Sequence, residues 1–415
     1  MKDTDIQLNE KNVPLRTAGF LLALAIAVTA FTAAISSIGK KDPGLYAVDA
    51  SPDENLPLYA TDVTLTYYFT GESDEIRVAM NTIRPIYSAA LRQAYLLLDA
   101  HQTYEGTTNL ASLNAAPGEP VTVGKELLGI LNDAYARTCE QRGYNMFAGA
   151  LYAEWESILI LEDPETFDPV RNEEERTRLA RLAAMTNDLG NFGYTVVDAE
   201  AGTVRIDVSP EYRALLRELE IDAPVLDLNV LRDAYELRMI GDALAAEGWR
   251  NGYLSANSGA VLALPDYSAG SYCLYDRTEK STVPAVTIPA PGGSAFSQFR
   301  AFAYSDGEYE FYRIADGERE YWRHPYLPSS GEYSEWIASS CVFAEDGDVV
   351  EACYDNLLLF SCPDRAAAAA FAQGECPYAV GYLLRTEEPV VWVNARGMAQ
   401  MTAVSEYGYR LSEAR

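Results

Sequence analysis

Residues 224–235 read Pro-Val-Leu-Asp-Leu-Asn-Val-Leu-Arg-Asp-Ala-Tyr, and no other run constrains the fold as tightly. Its first half is an apolar strand end carrying one acid, Asp227. It opens directly into an amphipathic helix whose apolar positions are Val230, Leu231, Ala234, Leu237, Ile240 and Leu244. Further along, Tyr253-Leu254-Ser255-Ala256 leads into Asn257-Ser258-Gly259, a short strand and a turn.

The elements around this run mix strands and helices without βαβ regularity, which predicts an α+β fold. Asp62–Phe69 alternates as a strand, and Ile76–Ala100 is helical with a kink or break expected at Pro85. Glu126–Arg142 and Glu173–Asp188 are helices, and Val196–Val208 is a hairpin turning at Ala199–Gly202. Ser209-Pro210 has N-cap and first-turn chemistry and starts a helix through Leu219. Beyond it, Thr287–Gly293 reads as a loop. Strands are expected at Ala301–Ser305, Tyr309–Ala315, Tyr333–Phe343, Ala379–Leu384 and Val390–Asn394, with an Ala-rich helix at Arg365–Phe371.

Composition removes several function classes. A net charge of −29, from 32 basic and 61 acidic residues, makes nucleic acid a poor partner, because phosphate contacts need clustered Lys and Arg. Two histidines, His101 and His324, leave little room for a His-rich zinc site or a Ser-His-Asp triad. The six cysteines contain no CxxC pair and read as small buried hydrophobes, with one or two disulfides open to a chain outside the cell.

Residues 1–16 form an N-terminal tail, and Thr17–Gly39 carries no charge and is rich in Ala, Leu, Ile and Phe. At about 1.5 Å per residue it reaches across the roughly 30 Å hydrocarbon core of a bilayer. The expectation is a single-pass anchor in the cell membrane, with cleavage as a signal peptide near Ala30–Ala34 as the rival reading. Residues 40–57 read as a polar linker, and 58–415 as one extracytoplasmic domain.

Several runs, taken in order along the chain, resemble the ApbE family of FAD:protein FMN transferases. His101–Tyr104 with Asn109–Asn114 is similar to the family's StYxxxSxLxxLN, and Gly143–Leu151 with Trp155 to GAFDxTVGPLxxLW. Phe192-Gly193-Tyr194 is similar to VGY, and the opening run to LDLGGIAKGYA. Ser305–Tyr312 is similar to TSGDYERY, and Ala352–Phe360 to ADALSTALF. Asp227 and Tyr235 match the family text; Asn229, Val230, Asp233 and Ala234 stand where it has Gly, Gly, Lys and Gly. Where the family has HHIxDP, this chain has Glu320–Pro325, one residue short and without the histidine at the expected site.

The resemblance implies an α+β, ApbE-like (T-fold-like) mixed sheet-and-helix domain behind one N-terminal transmembrane helix. It also implies an activity: FMN would pass from FAD to a threonine of an exported flavoprotein acceptor, with Mg²⁺ assisting. It places Tyr104, Tyr144, Asn145, Asp227, Arg232 and Asp233 at the flavin nucleotide, and the backbone of Val230 at the metal. Cys353 and Leu357 stand where the family has a metal-binding Asp and Thr; neither side chain suits Mg²⁺, which takes hard oxygen ligands. Asp355 would take over as a metal ligand given a local register shift. Arg232 would supply part of the missing positive charge to a phosphate. The alternative is a catalytically inactive, membrane-anchored scaffold that binds a flavin, a nucleotide or a protein partner.

Overall fold

The computed structural model describes residues 41–52, 56, 61–159, 164–278, 281–302, 312–316, 319–323, 336–384 and 388–414. The described residues fall into two compact units, one within Leu45–Tyr68 and Thr82–Arg415, and a small one of residues 41–44 with Phe69–Asn81. Within the small unit the Lys41 amide donates to Ser73 Oγ at 2.9 Å.

The strands in chain order begin with β1 (Gly44–Val48), β2 (Val63–Phe69), β3 (Val121–Thr122), β4 (Phe192–Asp198) and β5 (Thr203–Val208). Then come β6 (Gly252–Ala256), β7 (Ala260–Ala263), β8 (Gly270–Arg277), β9 (Thr282–Ala290) and β10 (Ala295–Arg300). The remainder are β11 (Tyr312–Asp316), β12 (Arg319–Arg323), β13 (Ile337–Ala344), β14 (Ala379–Leu384), β15 (Val390–Val393), β16 (Thr402–Ala403) and β17 (Arg410–Glu413). One nine-stranded sheet runs β1-β2-β6-β7-β10-β13-β14-β15-β17. Smaller sheets are β16-β9-β8, β3-β5-β4 and the pair β11-β12. The fold is mixed α+β.

The large sheet has two covered faces, and its register sorts them. Val261 pairs with Ser255 on one side and Phe296 on the other, so these residues share a face. On that face Tyr272 of β8 stacks on Phe296, ring centroids 5.0 Å apart, within a core that includes Leu274, Ile288 and Phe343. The alternate residues Leu254, Leu262 and Ser297 point the other way, towards helices.

The helices start with α1 (Ser73–Leu98), α2 (Leu110–Ala115), α3 (Lys125–Cys139) and α4 (Gly149–Leu159). They continue with α5 (Pro164–Phe167), α6 (Glu173–Asn187), α7 (Pro210–Glu218) and α8 (Arg232–Ala246). The last three are α9 (Val349–Phe360), α10 (Arg365–Ala370) and α11 (Ala395–Gln400). Gly241 of α8 lies so close to Leu254 and Leu262 that a Cβ there would meet a Leu262 methyl at 2.8 Å. In α9 every residue but Glu351 is buried, the pattern of a helix enclosed on all sides. Asn356 ties it to the sheet through Ser297 Oγ at 3.1 Å and Ser340 Oγ at 2.7 Å.

Several expectations need correction. The first long helix runs without interruption through Pro85. Of the strand expected at Ala301–Ser305 only Ala301 and Phe302 are described, and they follow β10 without being strand; the loop expected over Thr287–Gly293 is strand as far as Ala290. Pro289 is accommodated because β16 pairs with β9 only at Val286 and Thr287, so no ladder partner awaits a Pro289 amide on that side. No disulfide joins the six cysteines. Residues 17–39, 303–311 and 324–335, with the anchor segment, the Ser305 run and His324, lie outside the described residues. Among the described residues no helix is long and apolar enough to cross a membrane.

Candidate functional site

The opening run is held by the Asn114 side chain and by the backbone of residues 146–149. Asn114 of α2 donates to Leu226 O at 2.9 Å and accepts from Leu226 N at 2.8 Å, so one amide pairs with both backbone groups of the residue before Asp227. Its Nδ2 also reaches Ala100 O at 3.2 Å. Gly149, the first residue of α4, lies directly on the run: a Cβ there would meet Pro224 O at 2.5 Å and Asp227 Cβ at 2.9 Å. The Asp227 amide donates to Met146 O at 2.9 Å.

Asp227 then turns the chain. Its Oδ1 accepts from the Asn229 amide at 2.7 Å, and Asn229 adopts φ +51°, the left-handed region that glycine fills most readily and asparagine tolerates best among other residues. The Asn229 Nδ2 donates to Asn145 O at 3.1 Å and Asp227 O at 3.0 Å, while its buried Oδ1 has no protein partner. Burial pushes the Asp227 carboxyl above the usual carboxylate range, against the pull of the Asn229 amide and of Arg232 and His101. Val230 packs its side chain against the cluster of Trp155, Leu182 and Tyr212.

Tyr104 is positioned by a residue that sequence reasoning missed. Asp99, just past the end of α1, accepts from His101 N at 2.8 Å, Gln102 N at 3.1 Å and the Tyr104 hydroxyl at 2.5 Å. Burial, then Asp99, raise the Tyr104 phenol above its ordinary value. Asn109 caps α2 through a capping box with Ser112 and donates to Gln102 O at 2.7 Å, closing the loop.

Arg232 is the hub of a carboxylate cluster. Its Nε donates to Glu236 Oε1 at 2.9 Å, one helical turn on. Asp227 and Asp233 act on its charge as well; burial opposes the guanidinium, and these acids more than offset it, raising its pKa. Glu236 is only 5% exposed, and burial pushes it up to about 7. Asp62, which accepts from Asn257 Nδ2 at 2.9 Å, and Glu156 are raised by the same cause. Sequence reasoning singled out Asp227, Arg232 and Asp233 but missed Asp62, Glu156 and Glu236. The i,i+4 spacing of Arg232 and Glu236 was the one available signal.

Other expected site residues are placed in the interior. Tyr144 is 2% exposed, its hydroxyl donating to Leu228 O at 3.3 Å and its ring edge-on to Tyr354. Both ends of the buried Asn145 amide are used internally, by Thr186 O at 2.7 Å and Phe147 N at 2.9 Å. A ligand at Tyr104 and Asp227 would reach these two only through rearrangement. Asp355 turns to Cys376, whose Sγ donates to Oδ2 at 3.3 Å; the charges that bear most on it are Glu351, Arg137 and Arg142, and burial raises it to about 6. The register shift that would aim it at Val230 is not made.

The metal position fails a chemical test. Cys353 is buried beside Ser297, with Asp233 acting on it through charge, and burial pushes its thiol up to about 12, so it is neutral. Leu357, one turn on, is 3% exposed and offers no donor atom. A neutral thiol and a leucine do not fit Mg²⁺. Among the described residues no group of three or more His, Cys, Asp or Glu side chains could hold a metal ion.

The fold is similar to that of solved ApbE proteins. The ApbE protein of Thermotoga maritima matches at 15% identity over 78% of this chain and 91% of that one, with a TM-score of 0.52. The flavin transferase ApbE of Vibrio cholerae matches at 13% identity over 87% and 99%, TM-score 0.56. The apo flavinyl transferase ApbE of Pseudomonas stutzeri matches at 15% identity over 89% and 96%, TM-score 0.51. No protein-family model and no curated protein matches the chain. The chain therefore has a divergent ApbE-like fold, which by itself does not fix what it does.

Proposed function

We propose that this chain is a binding member of the ApbE-like fold, holding a flavin or related nucleotide at the Tyr104 loop and Arg232 without transferring FMN. The observation that carries the reading is the pair Cys353 and Leu357, a neutral thiol and a hydrocarbon on the turns of α9 where the resemblance puts the metal. Splitting a pyrophosphate needs cationic stabilisation of the phosphate oxygens. Here the Arg232 guanidinium is already paired with Glu236 and surrounded by Asp62, Asp227 and Asp233. With the segment 17–39 read as an anchor, the protein would act as a cell-membrane scaffold with its main domain outside the cytoplasm.

A second reading, transfer of FMN from FAD to a threonine of an exported flavoprotein with Mg²⁺, keeps support from one feature. Asn229 preserves a left-handed backbone where the resembling run has glycine, so the turn after Asp227 keeps its shape. One experiment separates the two. The full chain is incubated with FAD, Mg²⁺ and a threonine-bearing acceptor domain; the acceptor is weighed by mass spectrometry, and FAD binding is followed by its fluorescence. Saturable binding without covalent FMN is the expected result, weakened tenfold or more in Arg232→Ala. Flavinylated acceptor would establish the second reading, and no binding would remove both.

A further inference from the structure

We propose that the Arg232–Glu236 pair takes up a phosphate group and a proton together: a phosphate drawn to the guanidinium obliges the carboxyl beside it to bind a proton from solvent. This rests on the reading of Arg232 as the residue that meets the nucleotide. Both residues lie on α8, one turn apart, and Arg232 Nε donates to Glu236 Oε1 at 2.9 Å. They differ in access. The Arg232 side chain is 31% exposed, whereas that of Glu236 is 5% exposed. A ligand arriving from solvent therefore finds the guanidinium while the carboxyl stays inside.

The neighbours leave Glu236 dependent on that one cation. Of the charges that bear most on it, Arg232 alone favours the ionised form; Asp233 on the same helix and Asp62, just before β2, oppose it. Tyr87 of α1 faces it with a phenol that burial keeps neutral. Tyr95 of the same helix holds its ring centroid 6.0 Å from the guanidinium carbon. Asp227 and Glu156 of α4 draw on the same Arg232 charge. Burial already pushes Glu236 up to about 7 with Arg232 in place. A phosphate on Arg232 cancels the attraction that favours the carboxylate and adds a repulsion of its own, whichever guanidinium nitrogen it uses. A buried carboxylate without a counter-charge is too costly, so it neutralises by protonation. The coupling is reciprocal: phosphate raises the affinity for the proton, and the proton raises the affinity for phosphate by the same factor. Well below pH 7 the carboxyl already holds its proton, and binding there is indifferent to its titration. Above pH 7, each further pH unit weakens binding about tenfold.

The test uses FAD and ADP-ribose, a flavin-free dinucleotide-like probe, since the linking phosphates of both keep the same charge from pH 5 to pH 8. Each is titrated into the full chain by calorimetry in two buffers of different ionisation heat, which counts the protons exchanged. Close to one proton should be taken up per ligand at pH 8 and almost none at pH 5.5. The Kd should be about tenfold weaker at pH 8 than at pH 6. Glu236→Gln, which keeps an oxygen beside Arg232, should bind with no proton uptake and with the same Kd at both pH values. Binding by the wild type at pH 8 without proton uptake, or uptake that persists in Glu236→Gln, would overturn the proposal and leave the nucleotide reading intact. ADP-ribose binding with uptake while FAD fails to bind would support the coupling and remove the flavin. No binding of either ligand at any pH would remove both. Should Glu236→Gln fail to fold, the proton count of the wild type decides it alone.

Discussion

Asn229 concentrates three demands in one residue. It must adopt φ +51°, cap the Asp227 carboxylate with its amide, and link Asn145 O to Asp227 O through its Nδ2. Glycine meets the first two; alanine meets only the second, because its Cβ makes the left-handed region costly by about 1–2 kcal/mol. Both substitutions delete the two side-chain hydrogen bonds, and both delete the unpartnered Oδ1, so the difference between them isolates the backbone. Asn229→Ala should therefore lose about 1 kcal/mol more than Asn229→Gly in urea unfolding. Equal losses would mean that the turn relaxes on substitution and that its handedness is not what the asparagine preserves.

At the scale of elements, legibility follows how local the cause is. The N-cap at Ser209 with Pro210 behind it, the hairpin over 199–202 and the helix after Asp227 are written in neighbouring residues, and all three form. Strand β9 was hidden by Pro284 and Pro289: Pro284 stands opposite Tyr275 where the β8–β9 register shifts, and the tolerance of Pro289 depends on where the distant β16 stops pairing. The carboxylate cluster was hidden for a similar reason, since Asp62, Glu156 and Glu236 come from three elements far apart in sequence. Helix α9 shows the same limit: its resemblance to a metal-binding run was readable, but only the fold reveals that Asp355 faces Cys376 while Cys353 faces Ser297. Two residues along a helix turn a side chain to nearly the opposite side, so Asp355 cannot stand in without unwinding α9. Cys353→Asp with Leu357→Thr restores oxygen donors at the original positions. Without metal this variant should be less stable than wild type, because a carboxylate is buried. Millimolar Mg²⁺ should then raise its melting temperature, by the equivalent of about 2.7 kcal/mol at a hundredfold excess over Kd. The wild type should not respond. A wild-type shift of the same size would show that a metal site exists without these donors.

Over the whole molecule, excess negative charge acts through two routes that a pH and salt series can separate. The local route is Glu236, whose folded value near 7 lies above its unfolded 4.5. The stability it contributes is fully present below pH 4.5 and lost as pH rises through 7, a fall of about 3 kcal/mol for a shift of this size. Asp355, raised from 3.8 to about 6, acts in the same direction. The global route is self-repulsion in a chain of net charge −29, which penalises the compact state more than the expanded one. Salt screens this second effect, since the Debye length shortens from about 30 Å at 0.01 M to about 10 Å at 0.1 M. It leaves the desolvation of a buried carboxyl largely untouched. The urea midpoint should therefore drop between pH 5 and pH 8, and KCl should recover part of the drop at pH 8 while changing little at pH 5. In Glu236→Gln, which keeps an oxygen to accept from Arg232, the pH slope should flatten and the KCl response persist. A variant that kept the full wild-type slope would remove Glu236 as the proton carrier. A midpoint indifferent to KCl at pH 8 would mean that the acidic surface is dispersed enough to cost the fold nothing.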